Sequence, residues 1–228
     1  MADKGQDPRN FNYQAPLLNA QSVEDDFSEL NYWVRLSDPR PRVLYPRAQG
    51  LGGCTLHHAL VTSPLFTSAD FGFIQQQTGD KSWDTDSMHE IWRSMTNTTY
   101  SPLYGNPCRH GYHGWLTTSQ ISLQALPQEV DPMISIPLQA MFDMNMPNLN
   151  PTLDPNCAYS RDSEGIHVMV KSTRDGKRVG VNQLVKLTQK KHPNLVVQLN
   201  TMVTRVIITN GVAVGVEVRT GPNQFAVG

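Results

Sequence analysis

The asparagine–glycine pair Asn210-Gly211 is the feature that most restricts how this chain folds. Two runs rich in β-branched residues flank it, at residues 202–209 and 212–219. A two-residue loop between such runs requires positive φ at both loop positions, which asparagine and glycine adopt more easily than other residues. The sequence therefore predicts a β-hairpin that closes at Asn210-Gly211.

Two more elements are predicted just before the hairpin. Residues 181–188 carry apolar side chains at helical spacing, and lysines and His192 follow before Pro193. Basic residues complement the negative end of a helix, and a proline stops it. We predict a short helix here, followed by a buried strand over residues 194–199.

The middle of the chain contains weaker patterns. Residues 82–96 start with serine and aspartate and place four large apolar residues at helical spacing, which predicts an amphipathic helix. In residues 110–123 one set of side chains alternates with smaller or polar ones, which favours a strand. Residues 126–147 are expected to be partly helical and interrupted by prolines, and residues 1–46 to be irregular.

Charge and composition exclude several classes of partner. The chain has 228 residues, a formal net charge of -1 and 39% hydrophobic residues. Such a chain has no field that attracts nucleic acid or anionic membranes, and no segment has the ~20 apolar residues of a membrane span. Three cysteines, without a signal peptide, favour reduced thiols, so a cytoplasmic location is the default expectation.

The segment QGLGGCTLHHAL combines glycines, a cysteine, a threonine and two histidines at residues 49–60. Residues 51–60 have the pattern of a loop, at the glycine pair, that leads into the N-terminus of a helix with Cys54 or Thr55 near its cap. Free amides at such a helix start bind a pyrophosphate, although a plain tight turn before a helix is the simpler explanation of an isolated glycine pair.

Cysteines and histidines also raise the alternative of a zinc site. Cys54 and His57 lie upstream, and Cys108, His110 and His113 lie downstream. Neither group has the spacing typical of structural zinc, so ordinary packed or hydrogen-bonded side chains are the simpler interpretation and no metal is predicted. The sequence also lacks a Gly-x-Ser-x-Gly motif and a phosphate-binding Gly-Lys-Ser/Thr loop, which gives a hydrolase no support.

The segment YPRAQGLGGCTLHHALV resembles the first signature of the glucose–methanol–choline family of flavin-dependent oxidoreductases. Arg47, Leu51, Gly52, Gly53 and Thr55 agree with that signature. Its departures are Ala48, Gln49, Cys54 and His58. Further segments resemble the family in the same order, at residues 29–34, 78–92, 110–119 and 192–221.

The resemblance implies an α/β chain with part of a Rossmann-like FAD-binding domain and part of an antiparallel-sheet substrate domain. Residues 1–100 and 155–228 would belong to the FAD-binding domain, and residues 101–154 to the substrate domain. The implied activity is oxidation of a CH–OH group of a small alcohol, choline-like in type, with hydride transfer to FAD.

The resemblance also implies the residues that bind the cofactor. Gly52, Gly53, Cys54 and Thr55 would lie beside the flavin and its pyrophosphate, and Val203 would meet the adenine through its backbone. Glycine amides and a helix start suit an anion, and a strand edge suits a base.

Two histidines complete the implied site. His57 stands where choline oxidase-like members attach the 8α-methyl carbon of the flavin, so it is either a covalent attachment point or a neutral histidine packed beside a non-covalent flavin. His58 stands where the family usually has asparagine. Because imidazole replaces only one donor or acceptor of an amide, the flavin geometry is expected to differ.

The family's Gly-x-Gly-x-x-Gly turn and its C-terminal catalytic histidine have no counterpart in this sequence. We therefore expect an internal fragment, assign no catalytic residue, and expect weak FAD binding or none by the chain alone. The alternatives are a catalytically inactive polypeptide and a zinc-stabilised binding module.

Overall fold

The computed structural model describes residues 11–23, 29–62, 67–100, 105–106, 108–120, 136, 140, 143–144, 154–157 and 168–221. The chain forms two compact units. Unit 1 comprises residues 1–60 and 175–228, and unit 2 comprises residues 61–174. The two ends of the chain thus share a unit, and the functional assignment of residues 1–100, 101–154 and 155–228 stays a prediction.

Unit 1 contains short helices, two antiparallel strand pairs and a small apolar core. Tyr13, Ala48 and Leu56 are its clustered buried side chains. Its elements are α1 (Phe11–Gln14), a 3-10 turn (Pro16–Leu18), α2 (Asn19–Val23), β1 (Tyr32–Val34), β2 (Val43–Tyr45), a 3-10 turn (Gly53–Leu56), β7 (Lys177–Arg178), α5 (Val181–Lys191), β8 (Thr201–Thr209) and β9 (Val212–Thr220).

The predicted hairpin is confirmed. Strands β8 and β9 are antiparallel, and Thr209 pairs with Val212 across the two-residue loop. Asn210 has φ 51° and Gly211 has φ 77°, the left-handed values that the loop requires. The hairpin is therefore fixed by local backbone preference.

The helix before the hairpin is also confirmed, whereas the strand that we placed between them is wrong. Helix α5 ends where His192 donates its backbone N–H to Thr188. Residues 195–199 form no strand, and Val196 is 80% exposed. Pairing starts only at Thr201, after Asn200 turns the backbone at φ 50°. An apolar run without a partner strand does not become a strand.

Unit 2 contains two capped helices and a small mixed sheet. Its elements are α3 (Ser68–Thr78), a 3-10 turn (Lys81–Trp83), α4 (Thr85–Met95), β3 (Thr96–Thr98), β4 (Leu116–Gln120), β5 (Val170–Lys171) and β6 (Thr173–Arg174). Strands β3 and β4 are parallel, and β4 and β5 are antiparallel.

The predicted helix over 82–96 is confirmed as α4, and Asp84 caps it by accepting the N–H of Ser87 at 2.7 Å. Helix α3 was not predicted, because its apolar residues do not gather on one face. The predicted strand over 110–123 is confirmed for β4, while residues 121–123 and most of 126–147 lie outside the described residues.

Two glycines let the segment before β4 pack against the end of α4. A Cβ atom at Gly111 would overlap the carbonyl of Arg93, and one at Gly114 would overlap that of Met95. The His-Gly-x-x-Gly pattern of residues 110–114 thus has a packing reason. Over the described residues, no helix is both long and apolar enough to cross a membrane.

Candidate functional site

The glycine pair forms a tight turn, and the helix that we predicted over 51–60 is wrong. Gly52 has φ 105° and Gly53 has φ 55°, and only one 3-10 turn follows, Gly53–Leu56. The turn ends when His57 and His58 both donate their backbone N–H groups to the carbonyl of Cys54. Consecutive left-handed residues change the chain direction too sharply for an α-helix to start there.

The turn is fixed to the N-terminus of α5. Thr55 Oγ1 accepts the N–H of Val181 at 3.1 Å and donates to the carbonyl of Gly52 at 2.7 Å. Gly180 offers α5 no side-chain cap, so Thr55 caps that helix from a distant part of the chain. A Cβ at Gly52 would lie 2.8 Å from the backbone nitrogen of Asn182. Gly52 and Thr55 therefore serve chain packing first.

His57 makes a close contact with a carboxylate. Its Nε2 lies 2.8 Å from Oε1 of Glu29, and both side chains are at most 5% exposed. The contact lacks the linear N–H···O alignment of an ideal hydrogen bond. Glu29 Oε2 accepts the backbone N–H of Arg47 at 2.8 Å, and the Gln49 amide donates to the Glu29 carbonyl at 2.6 Å. Glu29 is therefore held from both ends.

Sequence analysis did not single out Glu29. It begins the tryptophan-containing segment of residues 29–34 that resembles the family, but no spacing rule links it to His57. The link arises from an isolated antiparallel bridge between Glu29 and Ala48, which brings residue 29 beside the turn. Only the folded chain shows this pairing.

Both histidines of the turn are neutral near pH 7. Burial lowers the pKa of His57 despite the opposing effect of a backbone hydrogen bond, and the guanidinium groups of Arg178 and Arg47 lower it further. Burial and then Arg178 lower the pKa of His58. His58 Nδ1 accepts the N–H of Leu60 at 2.7 Å, so its one proton lies on Nε2.

Arg178 is the second residue that sequence analysis missed. Its guanidinium donates to three backbone carbonyls, those of Tyr13 at 2.8 Å, His58 at 2.6 Å and Thr55 at 3.5 Å. The side chain is 6% exposed, and burial lowers its pKa to about 10. Within the described part of the chain, its Nη2 has no acceptor. Arg178 ties the turn together and keeps one unused donor.

The other implied cofactor residues lie in two places. Cys54 is a half-buried free thiol within the turn. Val203 lies in β8, where it pairs with Val218 and is 48% exposed. Each strand of a two-stranded hairpin keeps one free edge, which is what backbone contact with a base needs. The role of Val203 stays a prediction.

Unit 2 contains a separate buried cluster, and it corrects our expectation of reduced thiols. Cys108 and Cys157 form a disulfide. Next to it along the chain, His110 Nε2 lies 2.7 Å from Asp154 Oδ2, with both side chains buried. Burial and the Asp154 carboxylate raise the pKa of Tyr100, whose ring meets His110 edge-on. Cysteine pairing depends on distance in the fold, which an odd count of three does not reveal.

The same disulfide weakens the zinc alternative. Cys108 is oxidised and so supplies no thiolate ligand, and His113 is exposed. Among the residues that the structure describes, no group of three histidine, cysteine or acidic side chains is arranged to hold a metal ion.

Three solved structures are similar to the chain over nearly its whole length. Pyridoxine 4-oxidase from Mesorbium loti has a TM-score of 0.75, 18% identity and 96% coverage of this chain. A variant of formate oxidase from Aspergillus oryzae RIB40 has a TM-score of 0.75, 20% identity and 96% coverage. An FAD-dependent oxidoreductase from Chaetomium thermophilum has a TM-score of 0.65, 17% identity and 97% coverage.

The chain has the fold of FAD-dependent oxidoreductases. The resemblance to the glucose–methanol–choline family is thereby confirmed at the level of the fold. The chain spans 40%, 37% and 37% of the lengths of these three proteins. No family model matches the sequence, and no curated protein matches it either.

The charge around the turn suits an anionic ligand. The guanidinium groups of Arg47 and Arg178 both act on His57, while Glu29 is the carboxylate in contact with it. With both histidines neutral, the two guanidinium groups leave an excess positive charge even where Glu29 is ionised. The guanidinium of Arg178 is buried and its Nη2 has no acceptor among the described residues. A diphosphate could accept this hydrogen bond and offset the charge.

Proposed function

We propose that the chain is part of an FAD-dependent oxidoreductase that oxidises a CH–OH group of a small alcohol, choline-like in type. The observation that carries the proposal is the similarity of fold over 96% of the chain to two oxidases of small molecules, together with the flavin-signature resemblance of residues 45–61. Unit 1 would belong to a Rossmann-like FAD-binding domain.

The residues of the turn would hold the cofactor by charge and close approach. The left-handed Gly52 and Gly53 would let the cofactor approach the backbone beside Cys54, Arg178 and Arg47 would supply positive charge, and the neutral His57 lies beside them. FAD, once bound, would accept the hydride from the alcohol carbon. The strand edge at Val203 would receive the adenine.

His57 has two proposed modes of contact with the flavin, covalent and non-covalent. Its neutral state supports both, because an unprotonated ring nitrogen either attacks a carbon atom or packs against the flavin without charge. The partners that we propose are a small alcohol and FAD, without nucleic acid or membrane, in agreement with a net charge of -1.

Expression of a longer reading frame that contains this chain tests the proposal. We expect a purified yellow protein with a flavin absorption spectrum, and weak FAD binding or none by residues 1–228 alone. Colour that survives acid precipitation in the wild type and disappears in His57→Ala would identify covalent attachment. Flavin released by acid from the wild type would identify the non-covalent mode.

Arg178→Met is the matched charge test in that protein, with Arg42→Met as a control because Arg42 is exposed. Arg178→Met is expected to weaken FAD binding at least tenfold, since a charged hydrogen bond contributes about 1.5–3 kcal/mol. Equal FAD affinity of the two variants, or a longer protein without flavin, would contradict the proposed function and favour the catalytically inactive alternative.

A further inference from the structure

We infer that one face of the β8–β9 hairpin is an interface with a part of the polypeptide outside residues 1–228. This hairpin face is defined by five large apolar side chains, those of Val203, Val206, Ile208, Val216 and Val218. The inference rests on the proposed function in one respect, namely that the chain is part of a longer oxidoreductase.

The strand register sorts the side chains of the hairpin into one apolar and one charged face. Successive cross-strand pairs point to opposite sides of a sheet. Val206 pairs with Val216, and the preceding pair, Arg205 with Glu217, therefore lies on the other face. The side chains agree with this assignment, because Arg205 Nη2 lies 3.0 Å from Glu217 Oε2. The hairpin face itself contains no charged residue.

The hairpin face is open in the structure. Its five large side chains are between 42% and 64% exposed. When an antiparallel sheet has one apolar and one charged face, the apolar face normally packs against a core and the charged face contacts water. The alternation thus indicates a face that another surface covers.

A second copy of the chain would cover this face with too little area. Each strand has nine residues, which at about 3.3 Å per residue gives a hairpin about 30 Å long and roughly 10 Å wide. Two such faces would bury on the order of 300 Å² per partner, against about 800 Å² in a stable interface. A covalently linked segment packs without the entropy loss of association, so a small face is sufficient for it.

The length of the similar proteins supports an occupant from the same polypeptide. The chain spans 40%, 37% and 37% of the three proteins compared above, so more than half of each lies outside the matched region. Valine and isoleucine side chains offer no hydrogen bond, and a polar group packed against them would lose its contact with water. We therefore expect the occupant to present an apolar helix or sheet face.

Val206→Lys and Ile207→Lys are a matched pair of variants for this surface. The two β-branched residues are neighbours in β8, are 51% and 40% exposed, and lie on opposite faces. In the longer protein, Val206→Lys is expected to raise the equilibrium constant of unfolding at least about tenfold, because the face is then covered and the charge is unpaired. Ile207→Lys is expected to change it by no more than about twofold.

In residues 1–228 alone, both variants are expected to change that constant by no more than about twofold, since both positions are exposed. Urea denaturation measures both variants in both proteins. Equal effects of the two variants in the longer protein would overturn the inference. A large effect of Val206→Lys alone in residues 1–228 would overturn it too, because the chain would then cover the face itself.

Two further results decide the remaining cases. If Val206→Lys prevents the longer protein from folding while Ile207→Lys folds, the shape-conserving Val206→Thr is expected to destabilise the longer protein and not residues 1–228, and no such difference would count against the interface. A concentration-dependent dimer of residues 1–228 in sedimentation, abolished by Val206→Lys, would assign the face to a second copy and overturn the inference.

The stability comparison does not depend on flavin. A longer protein that folds without flavin would refute the proposed function, while the two lysine variants would still report on the hairpin face. A yellow longer protein in which both variants have the same effect would leave the proposed function standing and overturn the inference.

Discussion

Each unit of the chain contains one buried histidine beside one buried carboxylate, and the two pairs have different surroundings. His57 and Glu29 approach to 2.8 Å in unit 1, and His110 and Asp154 approach to 2.7 Å in unit 2. The distances and the burial are nearly the same. The neighbours therefore decide what each pair does.

In unit 1 the neighbours are charged. Arg47 and Arg178 both act on His57, and Arg178 is itself buried. Glu29 is the carboxylate that offsets them at the turn. Removing that carboxylate would leave buried positive charge without a nearby negative charge. An uncompensated buried charge strongly lowers the free energy of unfolding.

In unit 2 the groups next to the pair are a disulfide and an uncharged asparagine side chain. The Cys108–Cys157 disulfide joins the same two segments that His110 and Asp154 join. Asn106 adds two hydrogen bonds to the backbone of His110, at 3.0 Å and 2.8 Å. The disulfide would therefore hold these segments without the ion pair, and the comparison predicts a smaller role for Asp154 than for Glu29.

The largest expected effect is that of Glu29→Ala. It removes the buried carboxylate that contacts His57 and accepts the N–H of Arg47, and we expect a loss of about 3–5 kcal/mol in the free energy of unfolding. Urea denaturation measures it. A loss no greater than that of Asp154→Ala would break the distinction between the two pairs.

The second effect is that of removing the disulfide by Cys108→Ala. A cross-link over a sequence separation of 49 restricts the unfolded chain, and its loss is expected to cost about 2–4 kcal/mol. Cys54→Ala is the control because its thiol is free. The same denaturation midpoint for the wild type with and without a reducing agent would show that the disulfide contributes nothing to stability.

The third effect is that of Asp154→Asn with the disulfide intact. Asparagine keeps an oxygen for the N–H of Asn156, which Asp154 Oδ1 accepts at 2.8 Å, and loses the charge that faces His110 and Tyr100. We expect a loss of about 1–2 kcal/mol. In a Cys108→Ala background the same change should cost more, because the ion pair then holds the two segments alone. Equal costs in both backgrounds would contradict the shared role.

Features of these sites could be predicted from the sequence where they depend on residues that are close together along the chain. The Asn210-Gly211 loop, the Asp84 cap of α4 and the end of α5 at His192 follow from neighbouring residues, and sequence analysis found all three elements. The turn at Gly52 was predicted to be a cofactor site through its resemblance to a family, and that assignment stays a prediction. Its predicted helix failed because two consecutive glycines took left-handed φ values, which a glycine pair permits but does not require.

The contacts that define the two pairs are long-range, and no local pattern encodes them. Glu29 reaches His57 through a single bridge to Ala48, and Arg178 reaches His58 across 120 positions of sequence. Cys108 and Cys157 are 49 positions apart in sequence and are joined by a disulfide. Sequence analysis therefore singled out His57 and missed Glu29 and Arg178, which contact or act on it only in the folded chain.

The smallest expected effect is a dependence of stability on pH that belongs to unit 1. The pKa values of His57 and His58 are lowered by folding, so below their ordinary value of 6.5 the unfolded chain binds protons that the folded chain does not. Stability should thus be fully present above about pH 6.5 and fall as the pH is lowered below that value. Urea midpoints across this range measure the slope, which His57→Gln should reduce and His192→Gln, at an exposed position, should leave unchanged. If His57 were instead held as a cation by Glu29, its pKa would be raised, and His57→Gln would make the loss of stability on acidification steeper.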